Sequence, residues 1–442
     1  MAKLLALDFG SSSIIAGLLE GKKVVREAPR VFYPTQCKGA AVEVRAEDLL
    51  SAAVDAVKKL NVGTSGVDAL QFAVMAPAWL AMDAKGRPLT PMITHQDRRS
   101  LTEAREIEAK VGKARHLRIT GNRPFPGGIS STSLAWYRRH EPSRLAKAAL
   151  FGHLNTFLHQ QWTGARVMDP SNASFTGLYE TMKLGGWSPE LCEAHGVRPD
   201  QLPEIREADE VVGYLTPGAA RLLGLRAGTP VMTGLMDGSA GMLRAGAVPG
   251  RLFNVCGSTD VLAMCTDRPK PDERLLTRAL GVNGLWLQVS TLAAAASSIY
   301  WARDQFFQEM PIEDFRREVH RLSRIGASAA GGVTFAPYMA GERTNLEQRS
   351  GAFTGITLAT KRENLLAAII EGLVQASAER LPILMATGTP ILREVMVSGG
   401  SDRLDKILHR DWKGDWTYRS VTDATMRGLA LLPPRESVRS RN

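Results

Sequence analysis

Two aspartates end apolar runs, and one of them stands where a carboxylate can do proton chemistry. Asp237 closes the apolar run PVMTGLM and is followed by Gly238, a place from which a side chain reaches an open cleft. Phosphoryl transfer asks little covalent help of a protein: an aligned hydroxyl, a base beside it, and positive charge or dipoles around the moving phosphate. A carboxylate in a cleft is the natural base, and Asp237 suits that role. It suits equally well as the N-cap of a helix over SAGMLRAG. Asp8 closes the run KLLAL in the same way, just before a turn that an aspartate also stabilises.

The turns near these acids are rich in glycine and hydroxyls. Gly10, Ser11, Ser12 and Ser13 lie between apolar runs in residues 4–24, and Gly257, Ser258 and Thr259 lie between apolar runs in residues 251–267. A hairpin turn of this kind directs backbone N–H groups and hydroxyls outward and can cradle phosphate oxygens. Two of them, one per domain, would grip a polyphosphate from opposite sides; two ordinary β-hairpins are the plainer alternative. A third turn, VMVSGGSDR at 395–403, follows an apolar strand, and Gly399 and Gly400 would let a flat ring approach the backbone closely.

Positioning these groups takes an α/β scaffold. Strand-like runs such as KLLALDF and ALQFAVMA alternate with helical ones such as VRAEDLLSAAVDAVKKL, whose Leu49, Leu50, Ala53, Val54 and Val57 recur at helical spacing. A second series begins near VVGYLTPGAARLLGLRAGTPVMTGLMDG, which places a domain boundary around 228–236. With 442 residues, two large domains are expected, and 44% hydrophobic against 23% charged residues marks an ordinary globular chain.

The net charge of +10 raises nucleic acid as a partner, but Lys and Arg are scattered with no stacking aromatics among them. A basic surface that draws phosphorylated metabolites is the better reading. The opening apolar run is too short for a leader or a membrane span. Cys37, Cys192, Cys256 and Cys265 show neither metal-ligand spacing nor a dense disulfide framework. A cytoplasmic protein without membrane or nucleic-acid partners is the expectation.

In order along residues 4–432, these motifs resemble the FGGY carbohydrate kinases of the sugar kinase, Hsp70 and actin superfamily. DFGSSS is similar to the first phosphate loop, PLTPMITHQDRR to the sugar-site segment, and VMDPSNASFTGLYE to the segment leading to the end of the first domain. GTPVMTGLMDGSAGMLRAGAVPG resembles the segment of the catalytic aspartate, NVCGSTDVL the second phosphate loop, APYMAGERTNLEQRSGAFTGITLATKRENLLAAIIEGL the second signature region, and VSGGSD the adenine-site turn.

The resemblance implies two ribonuclease-H-like, actin-like ATPase domains flanking a central cleft: residues 1–232 for sugar, 233–434 for ATP, and 435–442 as a flexible basic tail. It implies Asp237 as the base that takes the proton of the attacking hydroxyl. Asp8 would lie near that hydroxyl and hold Mg²⁺, a hard cation suited to one carboxylate plus waters and ATP oxygens. Met75, Ala76, Pro77 and Trp79 would wall the sugar, which Asp97 and Arg99 would contact; core packing and a surface ion pair are the alternatives. ATP would meet Gly10, Ser11, Ser12, Ser13, Gly257, Ser258, Thr259, Gly399, Gly400 and Ser401. Gly341, Glu342 and Arg343 would bound the cleft.

The implied acceptor is a small ketose, a pentulose such as xylulose first, with sedoheptulose, ribulose or a polyol as alternatives. A homodimer and a catalytically silent binder on the same fold also stay open. Three positions depart from the family pattern: Ile15 where a basic residue is common, Ser133 for a Lys, and Asn364 for a His. A cation missing near the γ-phosphate removes transition-state stabilisation unless another group supplies it.

Overall fold

The computed structural model describes residues 2–62, 66–347, 349–399 and 404–436. Two mixed sheets carry the molecule. In the first, β1 (Lys3–Phe9), β2 (Ser13–Glu20) and β3 (Lys23–Glu27) form an antiparallel meander, α1 (Ala46–Leu60) follows, and β4 (Ala69–Val74) returns parallel to β1. β5 (Glu210–Tyr214) and β6 (Pro230–Met232) extend the sheet beyond β4, and β7 (Leu235–Met236) also pairs with β4. In β1 every residue from Leu4 to Phe9 is buried except Asp8, which is half-buried at the strand end. Such a near-continuous apolar run belongs to a strand covered on both faces.

The second half repeats this plan. After α2 (Asp237–Arg244), β8 (Leu252–Cys256) and β9 (Asp260–Thr266) form an antiparallel hairpin, joined by β10 (Leu276–Ala279) and β11 (Trp286–Leu292). Helices α3 (Ile312–Ile325) and α4 (Arg362–Met385) follow, then β12 (Glu394–Gly399) parallel to β8, and β13 (Thr417–Ser420) parallel to β12. β1 and β8 thus hold equivalent places, each with an antiparallel hairpin partner on one side and a parallel strand on the other. The echo between residues 4–24 and 251–267 is this duplication, and the expected α/β class is observed.

Helix α1 shows why the chain folds locally as it does. Leu49, Ala52, Ala53, Ala56, Val57 and Leu60 are buried on one face, with Glu47 and Asp48 in the first turn and Lys58 and Lys59 in the last, each sign opposing the helix dipole. Leu50 and Val54, expected on that face, lie at its partly buried margin.

The C-terminal segment differs from expectation. Helix α5 (Ala424–Leu429) packs on α2 and β1, and the Leu429 carbonyl accepts a hydrogen bond from Gln71 Nε2 at 3.0 Å, so this piece lies on the first sheet. Apolar Met426 and Leu429, both buried, account for the return. β14 (Arg435–Glu436), placed by the sequence reading in a flexible tail, pairs with β5. The Arg435 guanidinium reaches Glu207 at 2.6 Å and Asp209 at 2.9 Å. Residues 437–442 lie outside the described residues.

Candidate active site

Asp237 is the first residue of α2, directly after β7, and its side chain enters a cavity of about 630 Å³ between the two sheets. It is not an N-cap: Met236 holds that place with no side-chain cap bond, and Asp237 Oδ1 accepts from the N–H of Gly238 at 2.6 Å. The strand before it is braced from the first half of the chain. Buried Asp169 accepts from the backbone N–H of Ser171 at 2.8 Å and from Asn155 Nδ2 at 3.0 Å, and the Ser171 hydroxyl accepts from the Met236 N–H at 3.0 Å. The VMDPSNASF segment is therefore the support of the residue preceding the acid.

Burial pushes the Asp237 carboxyl up, and the Arg278 guanidinium and the Gly238 N–H pull it back. Asp8 is not itself on the cavity wall but feels the same centre: burial first, then the Asp237 charge, push it up to about 7, with Arg30 opposing. Two carboxylates that repel across a desolvated gap are the setting in which a cation is welcome.

The cavity wall gathers several of the expected residues: Ser11, Met75, Ala76, Pro77, Asp237 and Thr259. Ser11 and Ser12 are exposed at the first turn, closed by Gly10 N–H to Ser13 O at 3.0 Å; Ser13 is buried, its hydroxyl 3.4 Å from Arg30 Nη1. The second turn matches, with Gly257 N–H donating to Thr259 O at 2.8 Å and Ser258 exposed at its tip. A Cβ on Gly257 would meet nothing nearer than Thr259 O at 4.0 Å, so the turn is open to a ligand. A second cavity of about 300 Å³ adjoins on the far side of the β8 and β12 ends, between Gly257 and Gly399 and the apolar side chains Ile299, Phe315 and Val319. Gly400 and Ser401 lie outside the described residues.

Other expected residues are set apart. The Asp97 carboxylate is fully buried and engaged by the Val42 N–H at 2.8 Å and by Arg99 Nη2 at 2.7 Å, while Arg99 also reaches Glu43 and lies over Trp136. The pair stiffens the segment rather than lining the cavity. Their neighbours His95 and Gln96 line it instead. Trp79 is buried against Phe151 and Tyr137, the core-packing alternative. Gly341 and Glu342 border a different, polar cavity, whereas Arg343 lines the cleft. Asn364 caps α4, its Oδ1 accepting from the Lys361 N–H at 2.8 Å and its Nδ2 donating to Ala329 O at 2.8 Å.

Sequence reasoning missed three cations of the cavity: Arg30, Arg278 and Arg343 as a charge. Only the GER triplet left a signal. Arg30 lines the cavity with its Nη1 3.4 Å from the Ser13 hydroxyl of the first turn, near which Ile15 offers no charge.

Comparison with known proteins agrees with this geometry. The model of the FGGY family of carbohydrate kinases, N-terminal domain, matches residues 3–244, and that of the C-terminal domain matches residues 252–408. A glycerol kinase of Thermus brockianus is 31% identical over 98% of this chain and 87% of its own length. A xylulose kinase of Bacillus subtilis is 25% identical over 91% of this chain and 81% of its own, and a gluconokinase of the same organism is 24% identical over 84% and 74%. Among solved structures, xylulose kinase from Rhodospirillum rubrum superimposes with a TM-score of 0.85 at 24% identity, covering 98% of this chain and 90% of that one. With both halves matched in order and the cleft between them built as described, the chain belongs to the FGGY family of carbohydrate kinases, ATP-dependent sugar phosphotransferases.

Proposed function

We propose that Asp237 is the general base of this kinase, taking the proton of a sugar hydroxyl as its oxygen attacks the γ-phosphorus of ATP. A C–O–P ester forms, the bond from γ-phosphorus to the bridging oxygen breaks, and ADP leaves. The observation that carries the reading is the place of Asp237: at the first position of a helix, on the wall of a cavity that Ser11 of the first glycine-hydroxyl turn and Thr259 of the second also line.

The adenine fits the cavity between Ile299, Phe315 and Val319, where a flat apolar ring replaces water. From there the phosphates run toward Thr259, Ser398 and Ser11, which face the larger cavity. Asp8 is suited to hold Mg²⁺, because a hard cation relieves the burial and repulsion that push its carboxyl up. Bound there with the nucleotide, the ion would supply charge neutralisation for the transferring phosphoryl group. Arg30, at the first turn, adds a positive charge from the protein itself.

The acceptor sits against Met75, Ala76 and Pro77. A pentulose such as xylulose is the first acceptor to test, on the strength of the xylulose kinases among the relatives, though gluconokinases and glycerol kinases stand as near. We place the enzyme in the cytoplasm, where ATP and free sugars meet; no helix among the described residues is long and apolar enough to cross a membrane.

The test is coupled ADP release with Mg-ATP across xylulose, ribulose, sedoheptulose, glycerol and sugar acids, run beside Asp237→Ala. At least one acceptor should raise release well above the variant. Equal release from both proteins with every acceptor defeats the reading.

A further inference from the structure

The cavity wall carries two guanidiniums, those of Arg278 and Arg343, that a neutral sugar does not need. Arg278 comes from β10, a strand locked to the first half of the chain: Asn122 Nδ2 donates to Thr277 O at 2.7 Å, the Thr277 N–H donates to Asn122 Oδ1 at 2.9 Å, and the Ala279 N–H donates to Ser174 Oγ at 2.9 Å. The side chain between these anchors is only 8% exposed, yet it lines the cavity. Its buried Nε has no hydrogen-bond partner. Among the described residues no carboxylate lies within ion-pair distance of it; Asp237 acts on it through space without closing a bridge.

Arg343 adds a second guanidinium to the same cavity, again with no ion pair among the described residues. Its surroundings offer it none. Arg98 beside it donates to the backbone carbonyls of His95, Asp97 and Pro126, and the nearby carboxylates of Asp97 and Glu43 are engaged by Arg99. His95, between them, is held neutral, pushed down to about 3 by burial and then by Arg343 and Arg98. The carboxylates on the cavity wall are Asp237 and Asp423; Asp237 is the one whose charge acts on Arg278, and neither forms an ion pair with Arg278 or Arg343 among the described residues.

A buried guanidinium with an unused N–H is an unmet demand, since desolvation is costly unless an anion or acceptor answers it. The planar fork of Arg matches a carboxylate with two parallel hydrogen bonds, which a sugar hydroxyl cannot do. We propose, resting on the kinase reading of the cleft, that the acceptor is a sugar acid of the aldonate class, its carboxylate held by Arg278 with Arg343 as the second cation of that pocket.

Calorimetric binding of erythronate and gluconate is compared with their uncharged alditols, erythritol and glucitol, and with xylulose, on wild type, Arg278→Gln and Arg278→Lys, with ADP release measured in parallel. Wild type should bind an acid roughly tenfold or more tighter than its alditol, and Arg278→Gln should lose on the order of tenfold to a hundredfold in acid affinity while alditol affinity stays within about threefold. Arg278→Lys should fall between, keeping charge and losing the fork. Alditol or xylulose binding as well as the acid overturns the proposal. A loss in Arg278→Gln that strikes nucleotide or all acceptors alike assigns the guanidinium to the phosphoryl group and overturns it as well. Should Arg278→Gln not fold, Arg343→Gln must show the acid-selective loss. Acid binding that depends on Arg278 without any ADP release leaves the carboxylate site standing and defeats the kinase reading instead.

Discussion

Gly238 and Arg278 share one volume: a Cβ built on Gly238 would stand 2.6 Å from Nη2 of Arg278. The missing side chain at 238 is what admits the guanidinium beside the base. In Gly238→Ala the methyl must displace the far end of a flexible side chain, not backbone. The variant also gains helix propensity in α2, worth up to about 1 kcal/mol, so net stability should change little. Acceptor KM should nevertheless rise about tenfold, the size expected for one displaced polar contact. Thermal scans and steady-state kinetics together check this; a large loss of stability with unchanged KM would show that the two residues do not compete for the space.

Asp237→Asn keeps shape and removes the base. The turnover number should fall by about 10²–10⁴-fold, with nucleotide affinity nearly unchanged. The wild-type pH profile carries a second test. Burial raises the Asp237 carboxyl, and a base works only when ionised, so kcat/KM should fall as pH drops through a value above the ordinary carboxylate range. In Arg278→Gln one opposing influence is gone, and the acid limb should move to higher pH. A limb that stays put in that variant removes the coupling between the two residues.

Asp8 makes stability depend on pH. Its folded value, about 7, lies above the unfolded one of 3.8, so its contribution is fully present below the unfolded value and lost as pH rises through about 7. Asp8→Asn has no proton to lose. In nucleotide-free protein with EDTA, the variant should therefore melt above wild type at pH 8, with the gap clearly smaller at pH 5 and closed only below the unfolded value of 3.8. The same variant should lose the added stabilisation that Mg²⁺ gives in the presence of nucleotide. Equal gaps at both pH values would rule out burial of a charged Asp8.

The parts of the site that could be read along the chain were those whose chemistry is local. Asp8 and Asp237 each end an apolar run, with glycine one or two residues on, and the turns at 10–13 and 257–259 carry their own backbone logic, so duplication and cleft were visible in two stretches of sequence. Arg278 was not, because nothing at 274–280 says that Asn122 and Ser174 will clamp the strand and turn its one cation into the cavity. Asp97 and Arg99 show the opposite failure. Two residues apart they look like a ligand pair, and only folding brings Glu43, Val42 and Trp136 to engage them. The C-terminal strand was hidden for a related reason: the partners of Arg435 are more than 220 positions away.

The second phosphate turn depends on one buried ion pair. Asp260, directly after Thr259, is fully buried; it accepts from Asn254 Nδ2 at 2.6 Å and pairs with Arg380 of α4, itself 3% exposed. Arg380 Nη2 also donates to Ser377 Oγ at 2.9 Å, so helix and turn are tied through a single guanidinium. Arg380→Met keeps the stem and strands the Asp260 charge, a change that typically costs about 3–5 kcal/mol because the remaining ion stays buried and unpaired. Denaturant unfolding should show a loss of that size, and the rise in melting temperature on adding Mg-ATP should shrink. The double variant Arg380→Met with Asp260→Asn should recover much of the stability, since no charge is left unanswered. If the single variant is as stable as wild type, the pair does not hold the turn. If the double variant is no better than the single, what the helix contributes is the geometry of the guanidinium and not its charge.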